Sequence, residues 1–256
     1  MPYAARGVYA WAHMRVALLS DVHANLAALE AVLSDAKAER VEAIWNVGDV
    51  VGYGPNPDQV IELMVTEGAR CVAGNHDAAV AGLVSLEDFN PRAAAAARWT
   101  IEHTTPASRE YLSALPRVEK QGSYTLVHGT LRDPIWEYLA TFDAARAHFA
   151  AQETPYSVVG HTHVPLVVRE VSPGRVEAFT PASGAVVEIG EERLCINPGG
   201  VGQPRDGDPR AAYAVLDTDA ATVSFHRVAY DIATTQERMR AAGLPEALAV
   251  RLEFGR

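Results

Sequence analysis

The first third of the chain repeats one pattern, and that pattern limits the folds open to it. Short apolar runs at residues 15–20, 43–47 and 69–73 are followed within two residues by Asp21, Asp49 and Asn75. Between them, residues 26–38 place Leu26, Leu29, Val32 and Leu33 on one face of a predicted helix, and residues 57–66 form the next. The three polar residues are 28 and 26 positions apart, about one strand–helix unit each. Each such unit returns the chain to the same edge of a parallel sheet covered by helices. The carboxyl ends of parallel strands line the ligand crevice of open α/β sheets. Asp21, Asp49 and Asn75 are therefore expected to converge.

The remainder is richer in strand signals. Residues 88–115 read as helix in two or three pieces broken near Pro106 and contain an alanine run at 93–97. Strands are predicted at 123–127, 156–159, 165–169, 176–179, 185–189, 193–196, 212–216 and 222–228, with helices at 142–152 and 232–242 and a short one at the end. The fold class is read as α/β, with two sheets packed face to face and flanked by helices. One domain is expected over residues 14–256, with 87–115 placed where a helical lid would be inserted. Trp99, His103 and Tyr111 in that segment have helical spacing and are assigned to packing rather than to a ligand. Residues 1–13 read as an extension, and Met14, directly before the first run, is a second candidate start.

Five ordered motifs carry the chemistry: Asp21-Val22-His23, Gly48-Asp49, Gly74-Asn75-His76-Asp77, Val127-His128-Gly129 and Gly160-His161-Thr162-His163. Five of the nine histidines fall inside them. Carboxylate, imidazole and amide groups delivered from separate loops are what a two-metal hydrolytic centre needs. Imidazole-rich ligation favours Mn, Fe, Zn, Ni or Co over Mg or Ca, and Mn²⁺ is the first expectation. Glycines beside the candidate ligands suit tight turns and close backbone approach.

The series resembles the calcineurin-like metallophosphoesterase superfamily, whose pattern is D-x-H, G-D, G-N-H-D/E, H and G-H-x-H. The resemblance covers roughly residues 15–165 and implies that family's two-sheet sandwich. It also implies two divalent ions. One would take Asp21, His23, Asp49 and His163, and the other Asp49, Asn75, His128 and His161, with Asp49 shared. A hydroxide bridging the metals would attack phosphorus. Asn75 and His76 would contact the phosphate, His76 would assist the leaving group, and Asp77 would orient His76. The Asp-Arg-Gly that follows the second motif in serine/threonine protein phosphatases and dinucleoside tetraphosphatases is absent. Val50-Val51-Gly52-Tyr53-Gly54 stands there instead, which counts against those two activities, kept as the alternatives, and the chain looks closer to the small prokaryotic phosphodiesterase branch. The turn Asn197-Pro198-Gly199-Gly200 resembles one beside the metals in small members. Arg205, just beyond it, either supplies the missing phosphate contact or is a solvated hairpin charge.

Charge narrows the partners. A net charge of −10 over 256 residues argues against tracking along nucleic acid or binding an anionic membrane, and leaves a small phosphorylated substrate as the expected partner. No apolar run reaches a membrane-spanning length. Two cysteines, Cys71 and Cys195, build no disulfide framework and suggest a reducing cytoplasm. Association into a homo-oligomer is left open. A fold retained only as a protein-binding scaffold would be expected to lose ligands, and the full set is present.

Overall fold

The computed structural model describes residues 14–256, so the predicted extension at residues 1–13 lies outside the described residues. The chain opens with β1 (Arg15–Leu19), α1 (Leu26–Ala38), β2 (Ala43–Asn46), α2 (Pro57–Thr66) and β3 (Arg70–Cys71). Then come α3 (Asn75–Val80), a 3-10 turn (Leu86–Asp88), α4 (Pro91–His103) and α5 (Pro106–Ser113). The second half contains β4 (Val118–Gln121), β5 (Tyr124–Val127), α6 (Phe142–Ala151), β6 (Tyr156–Val158), β7 (Leu166–Ser172), β8 (Arg175–Phe179), β9 (Val186–Glu188) and β10 (Arg193–Asn197). The chain closes with β11 (Ala211–Asp217), β12 (Thr222–Val228), α7 (Ile232–Ala241), α8 (Glu246–Val250) and a 3-10 turn (Arg251–Phe254).

Two six-stranded sheets form, in the orders β3-β2-β1-β11-β12-β9 and β4-β5-β6-β10-β7-β8. The expected parallel pairing holds for β1–β2 and β2–β3, but β11 pairs with β1 antiparallel, so the first sheet is mixed. The second sheet is mixed as well, with β5, β6 and β10 parallel at its centre. Val16 and Leu18 of β1 and Trp45 of β2 face Leu126, Val158, Leu194 and Ile196 of the other sheet in the inter-sheet core. Ala17 and Leu19 turn the other way, onto Leu29, Val32 and Leu33 of α1. Burial on both faces explains why β1 reads as an unbroken apolar run instead of an alternation.

The helices begin where local chemistry allows. Asn25 caps α1 by accepting the Ala28 N–H at 3.3 Å, Thr141 caps α6 through Ala144 at 3.1 Å, and proline occupies the first position of α2, α4 and α5. Two elements depart from expectation. The strand predicted at 69–73 is only two residues long, because the chain turns at once into α3. Strand β4, Val-Glu-Lys-Gln, has no apolar run to announce it and lies at the sheet edge beside β5. In the 87–115 segment, Tyr111 packs against the first core and Trp99 against the C-terminal helices, while His103 stacks on Trp99 at 4.1 Å.

A buried histidine fixes the loop after β5. His148 of α6 is 0% exposed. Its Nδ1 accepts the Leu131 N–H at 3.1 Å, so the proton is on Nε2, which donates to Ser157 Oγ at 2.8 Å; that hydroxyl donates to Gln152 Oε1 at 2.8 Å. Burial, reinforced by the Arg193 charge, pulls the imidazole down to about 4 from 6.5. A depressed folded value means that the stabilisation is complete above the unfolded value near 6.5 and is lost as pH falls toward 4. The loss is on the order of 3 kcal/mol. Thermal unfolding across that pH window should show this decline, and His148→Gln should flatten it. Equal slopes in both proteins would remove His148 as the cause.

Candidate metal centre

The seven predicted ligands are delivered to one place by the carboxyl ends of the central strands. Asp21 and His23 follow β1, Asp49 follows β2, Asn75 opens α3, His128 follows β5, and His161 and His163 follow β6. All seven are 5% exposed or less. Asp21, His23 and His163 offer ligand atoms within 4.8 Å of one another, and so do Asp49, His128 and His161. Asp49 Oδ2 lies 3.6 Å from His23 Nε2 and 3.4 Å from His128 Nε2, so this one oxygen stands between the two groups. Asn75 Oδ1 is 3.3 Å from His128 Nε2.

The imidazoles show what these groups are arranged to hold. A carbonyl oxygen can only accept, so a ring nitrogen bonded to one carries the proton. His23 Nδ1 faces the Val51 carbonyl at 3.1 Å, His128 Nδ1 the Val47 carbonyl at 2.8 Å, and His163 Nδ1 the Gln203 carbonyl at 2.6 Å. His161 uses Nε2, 3.2 Å from the Trp136 carbonyl. Each ring is left with its other nitrogen turned inward, and that nitrogen carries a bare lone pair wherever the ring is neutral. Those nitrogens meet at 3.3 Å between His23 and His163 and at 3.0 Å between His128 and His161. Asp21 Oδ1, 3.2 Å from His163 Nε2, is buried and accepts no hydrogen bond. Acceptors facing acceptors in a dry site repel unless a cation lies among them, and nitrogen with carboxylate oxygen suits a divalent transition metal.

The charges agree with this. Burial pulls His23 and His163 well below 6.5 and His161 down to about 3. Burial opposes ionisation of Asp49 too, yet the neighbouring His128 and His76 hold its carboxyl well below the usual range. His128 is the exception among the rings: burial lowers it, but Asp49 outweighs burial and pushes it up to about 9. Without a metal, a proton on the inward His128 nitrogen partly supplies the positive charge beside Asp49, and a cation bound there would take its place.

The backbone is strained at the same positions. Asp21, His23, Asp49, His161 and His163 all have φ between 49° and 66°, a region that costs a residue with a side chain on the order of 1–3 kcal/mol and clusters at functional sites. Gly48, at φ 97°, sets the turn before Asp49, and a Cβ there would lie 2.6 Å from His128 Nδ1. A Cβ on Gly74 would lie 2.1 Å from Asp49 Oδ1. The turn after β10 closes the site: Asn197 Nδ2 donates to the Gly160 carbonyl at 2.8 Å, and the Gly202 N–H to the Asp21 carbonyl at 2.9 Å.

His76 sits beside the cluster, 2% exposed, with a nitrogen within 4.8 Å of ligand atoms on His23 and Asp49. Its Nδ1 is buried without a partner, and its N–H backbone donates to Asp49 Oδ1 at 2.9 Å. Burial pulls its ring down to about 4. Asp77, expected to orient it, accepts no hydrogen bond from its ring among the described residues. Asp77 accepts the backbone N–H groups of Val50 at 3.2 Å, Val51 at 3.0 Å and Gly74 at 3.0 Å, which ties the Asp49 loop to the start of α3. Arg205 reaches the site: its N–H lies 3.4 Å from the His163 carbonyl and its guanidinium donates to Gln203 Oε1 at 3.0 Å.

Several neighbours carried no motif. Tyr53 lies edge-on to His23 with ring centres 4.6 Å apart and tilts over His76 at 4.3 Å. Phe89 meets His76 at 5.0 Å, and Tyr138 stacks on His161 at 3.9 Å and 3°. The unusual Gly52-Tyr53-Gly54 was the visible sign of Tyr53. Nothing in the sequence distinguished Phe89 or Tyr138 from packing aromatics.

This sandwich with a strand-end cluster of imidazoles and carboxylates has known relatives. Residues 14–221 match the pattern of the calcineurin-like phosphoesterase superfamily domain, and the chain belongs to that family. A metallophosphoesterase of Sphaerobacter thermophilus, known from its crystal structure, is 50% identical, with a TM-score of 0.87 over 95% of this chain and 100% of that one. An uncharacterized protein of Methanocaldococcus jannaschii is 35% identical over 246 residues, which are 94% of this chain and 98% of that protein. A hypothetical protein of Pyrococcus horikoshii shares the fold at a TM-score of 0.76 and 22% identity, over 94% of this chain and 98% of that one.

Proposed function

We propose that this protein is a metal-dependent hydrolase of phosphate mono- or diesters acting on a small phosphorylated substrate. The observation that carries this is the set of inward-facing ring nitrogens of His23, His128, His161 and His163 around the carboxylates of Asp21 and Asp49. Asp21, His23, Asp49 and His163 would hold one divalent ion, and Asp49, Asn75, His128 and His161 the second, with Mn²⁺ the first choice. Two such cations would neutralise phosphoryl charge and make a shared water acidic enough to supply the nucleophile near neutral pH.

The chain's own groups do the rest. The four backbone carbonyls lock the ring tautomers, so no imidazole need reorganise when a substrate arrives. His76, neutral because of its burial, has one N–H to donate to a phosphate or leaving-group oxygen. Tyr53 and Phe89 hold that ring from two sides and keep water off it. Arg205 supplies a fixed positive charge at the mouth. Cys71 and Cys195 are buried and free, which supports a reducing cytoplasm as its location. Among the described residues no helix is long and apolar enough to cross a membrane.

The test compares p-nitrophenyl phosphate with bis-p-nitrophenyl phosphate, using metal-stripped protein before and after resupply of Mn²⁺. Turnover is expected only after resupply, and the substrate ratio separates diesterase from monoesterase. His76→Ala is expected to lower kcat by about 10²–10³-fold at unchanged metal content. Turnover that survives stripping, or a chain that takes up no metal, would overturn the reading; an unchanged kcat in His76→Ala would remove that residue from the chemistry.

A further inference from the structure

Main-chain carbonyls decide which nitrogen each of the four ligand rings turns inward. For Asp21 the decision falls to a side chain, that of Ser20, which directly precedes the first motif. Ser20 is 0% exposed, and its carbonyl accepts the Val201 N–H at 2.9 Å, so the residue is fixed between the end of β1 and the turn after β10. Its Oγ donates to Asp21 Oδ2 at 2.6 Å. Room for the hydroxyl comes from Gly160, where a Cβ would lie 1.9 Å from Ser20 Oγ. Gly160 is not in the left-handed region, so this close approach, and not the backbone, is what calls for glycine before His161.

The hydroxyl makes the two oxygens of Asp21 unequal. Oδ2 also accepts the His161 main-chain N–H at 3.1 Å. An ionised carboxylate oxygen has about two lone-pair sites, and these two donors fill Oδ2. Oδ1 is buried, accepts no hydrogen bond, and lies 3.2 Å from His163 Nε2 and 3.9 Å from His23 Nε2. The short O–H···O⁻ contact is of the charge-assisted kind and resists rotation of the carboxylate better than the longer N–H contact alone. It also completes the hydrogen bonding of a charged oxygen held away from water. Asp49 is arranged differently. Its Oδ1 accepts one main-chain N–H, from His76, and its Oδ2 stands between the two groups of imidazoles. Asp49 is placed to be shared, and Asp21 to offer one oxygen to one side.

We propose that Ser20 is a positioning residue for one ion of the pair: its hydroxyl holds Asp21 so that Oδ1 alone faces the group formed with His23 and His163. The inference rests on the two-ion reading for what that group binds, but it is tested by metal binding and needs no turnover. Because Ser20 acts through Asp21, its removal weakens the ion on the Asp21 side and spares the one held by Asp49, Asn75, His128 and His161.

The test titrates the full, metal-stripped chain with Mn²⁺ and follows free Mn²⁺ by electron paramagnetic resonance. The wild-type chain should bind two ions. Ser20→Ala should raise one dissociation constant by about 10–100-fold, the usual effect of removing a hydrogen-bond partner of a metal ligand, and leave the other within about threefold. In an Asp21→Ala background, where one ion remains, adding Ser20→Ala should change nothing, because the hydroxyl has lost the group through which it acts. Ser20→Thr and Ser20→Val share one shape and differ in the hydroxyl, so they isolate it even if Ser20→Ala folds poorly. The threonine variant should bind both ions more tightly than, or as tightly as, the valine variant, with the difference confined to one ion. Two unchanged constants in Ser20→Ala, an equal loss at both ions, a further loss in the Asp21→Ala background, or identical constants in the threonine and valine variants would overturn the role of Ser20 and leave the two-ion reading in place. A wild-type chain that takes up no Mn²⁺ would overturn both.

Discussion

On the proposed two-ion reading, Asp49→Ala is expected to lower kcat by at least about 10³-fold and to reduce bound metal from two ions per chain to one or none. One residue has this weight because it joins the two halves of the site. Its Oδ2 lies between His23 and His128, at 3.6 and 3.4 Å, and its Oδ1 accepts the His76 N–H at 2.9 Å. Alanine removes one of only two carboxylates in the cluster and leaves the His76 N–H buried and unpaired, at a cost of about 1–3 kcal/mol. Metal content by plasma emission, with circular dichroism to check the fold, separates lost ligation from unfolding. An alanine variant that keeps two metals, or keeps kcat within tenfold, would show that Asp49 does not bridge.

The parts of this centre that sequence reveals are those written in side chains. Asp21, Asp49 and His128 each follow an apolar run, and strand–helix spacing requires those ends to meet. The starts of α1 and α2 are equally plain, since apolar periodicity begins beside an asparagine cap in α1 and beside an N-terminal proline in α2. What locks the imidazoles is not written there at all. Val47, Val51, Trp136 and Gln203 act through main-chain carbonyls, and a carbonyl belongs to every residue type. The left-handed backbone at Asp21, His23, Asp49, His161 and His163 is hidden for the same reason, because none of these residues is glycine. Strand β4 stays hidden because, at the edge of its sheet, it exposes Val118 and Lys120 and packs little. Helix α3 escapes because its short Asn-His-Asp start reads as a ligand loop, when Asp77 also serves the helix by reaching back to the Gly74 N–H.

Asp77 is a motif residue with two candidate roles, and Asp77→Ala separates them. Paired with an adjacent histidine in sequence, it suggests an orienting carboxylate. In the fold it is 0% exposed and takes three main-chain N–H groups, from Val50, Val51 and Gly74, at 3.0 to 3.2 Å. Burial and the nearby Asp49 push its pKa up to about 7, against the three donors that favour the charged form. Alanine would leave all three N–H groups buried and unsatisfied. At about 1–3 kcal/mol each, with partial relaxation, the expected loss is on the order of 3–5 kcal/mol. Since those bonds fasten the loop that carries Asp49, metal affinity should fall with stability. Asp77→Asn, which keeps one acceptor oxygen, should lose less of both. An orienting carboxylate predicts the opposite division: kcat would drop while the unfolding midpoint and metal content stayed at wild-type values. Thermal unfolding and metal analysis on the same preparations decide between them, and that second pattern would return Asp77 to the side of His76.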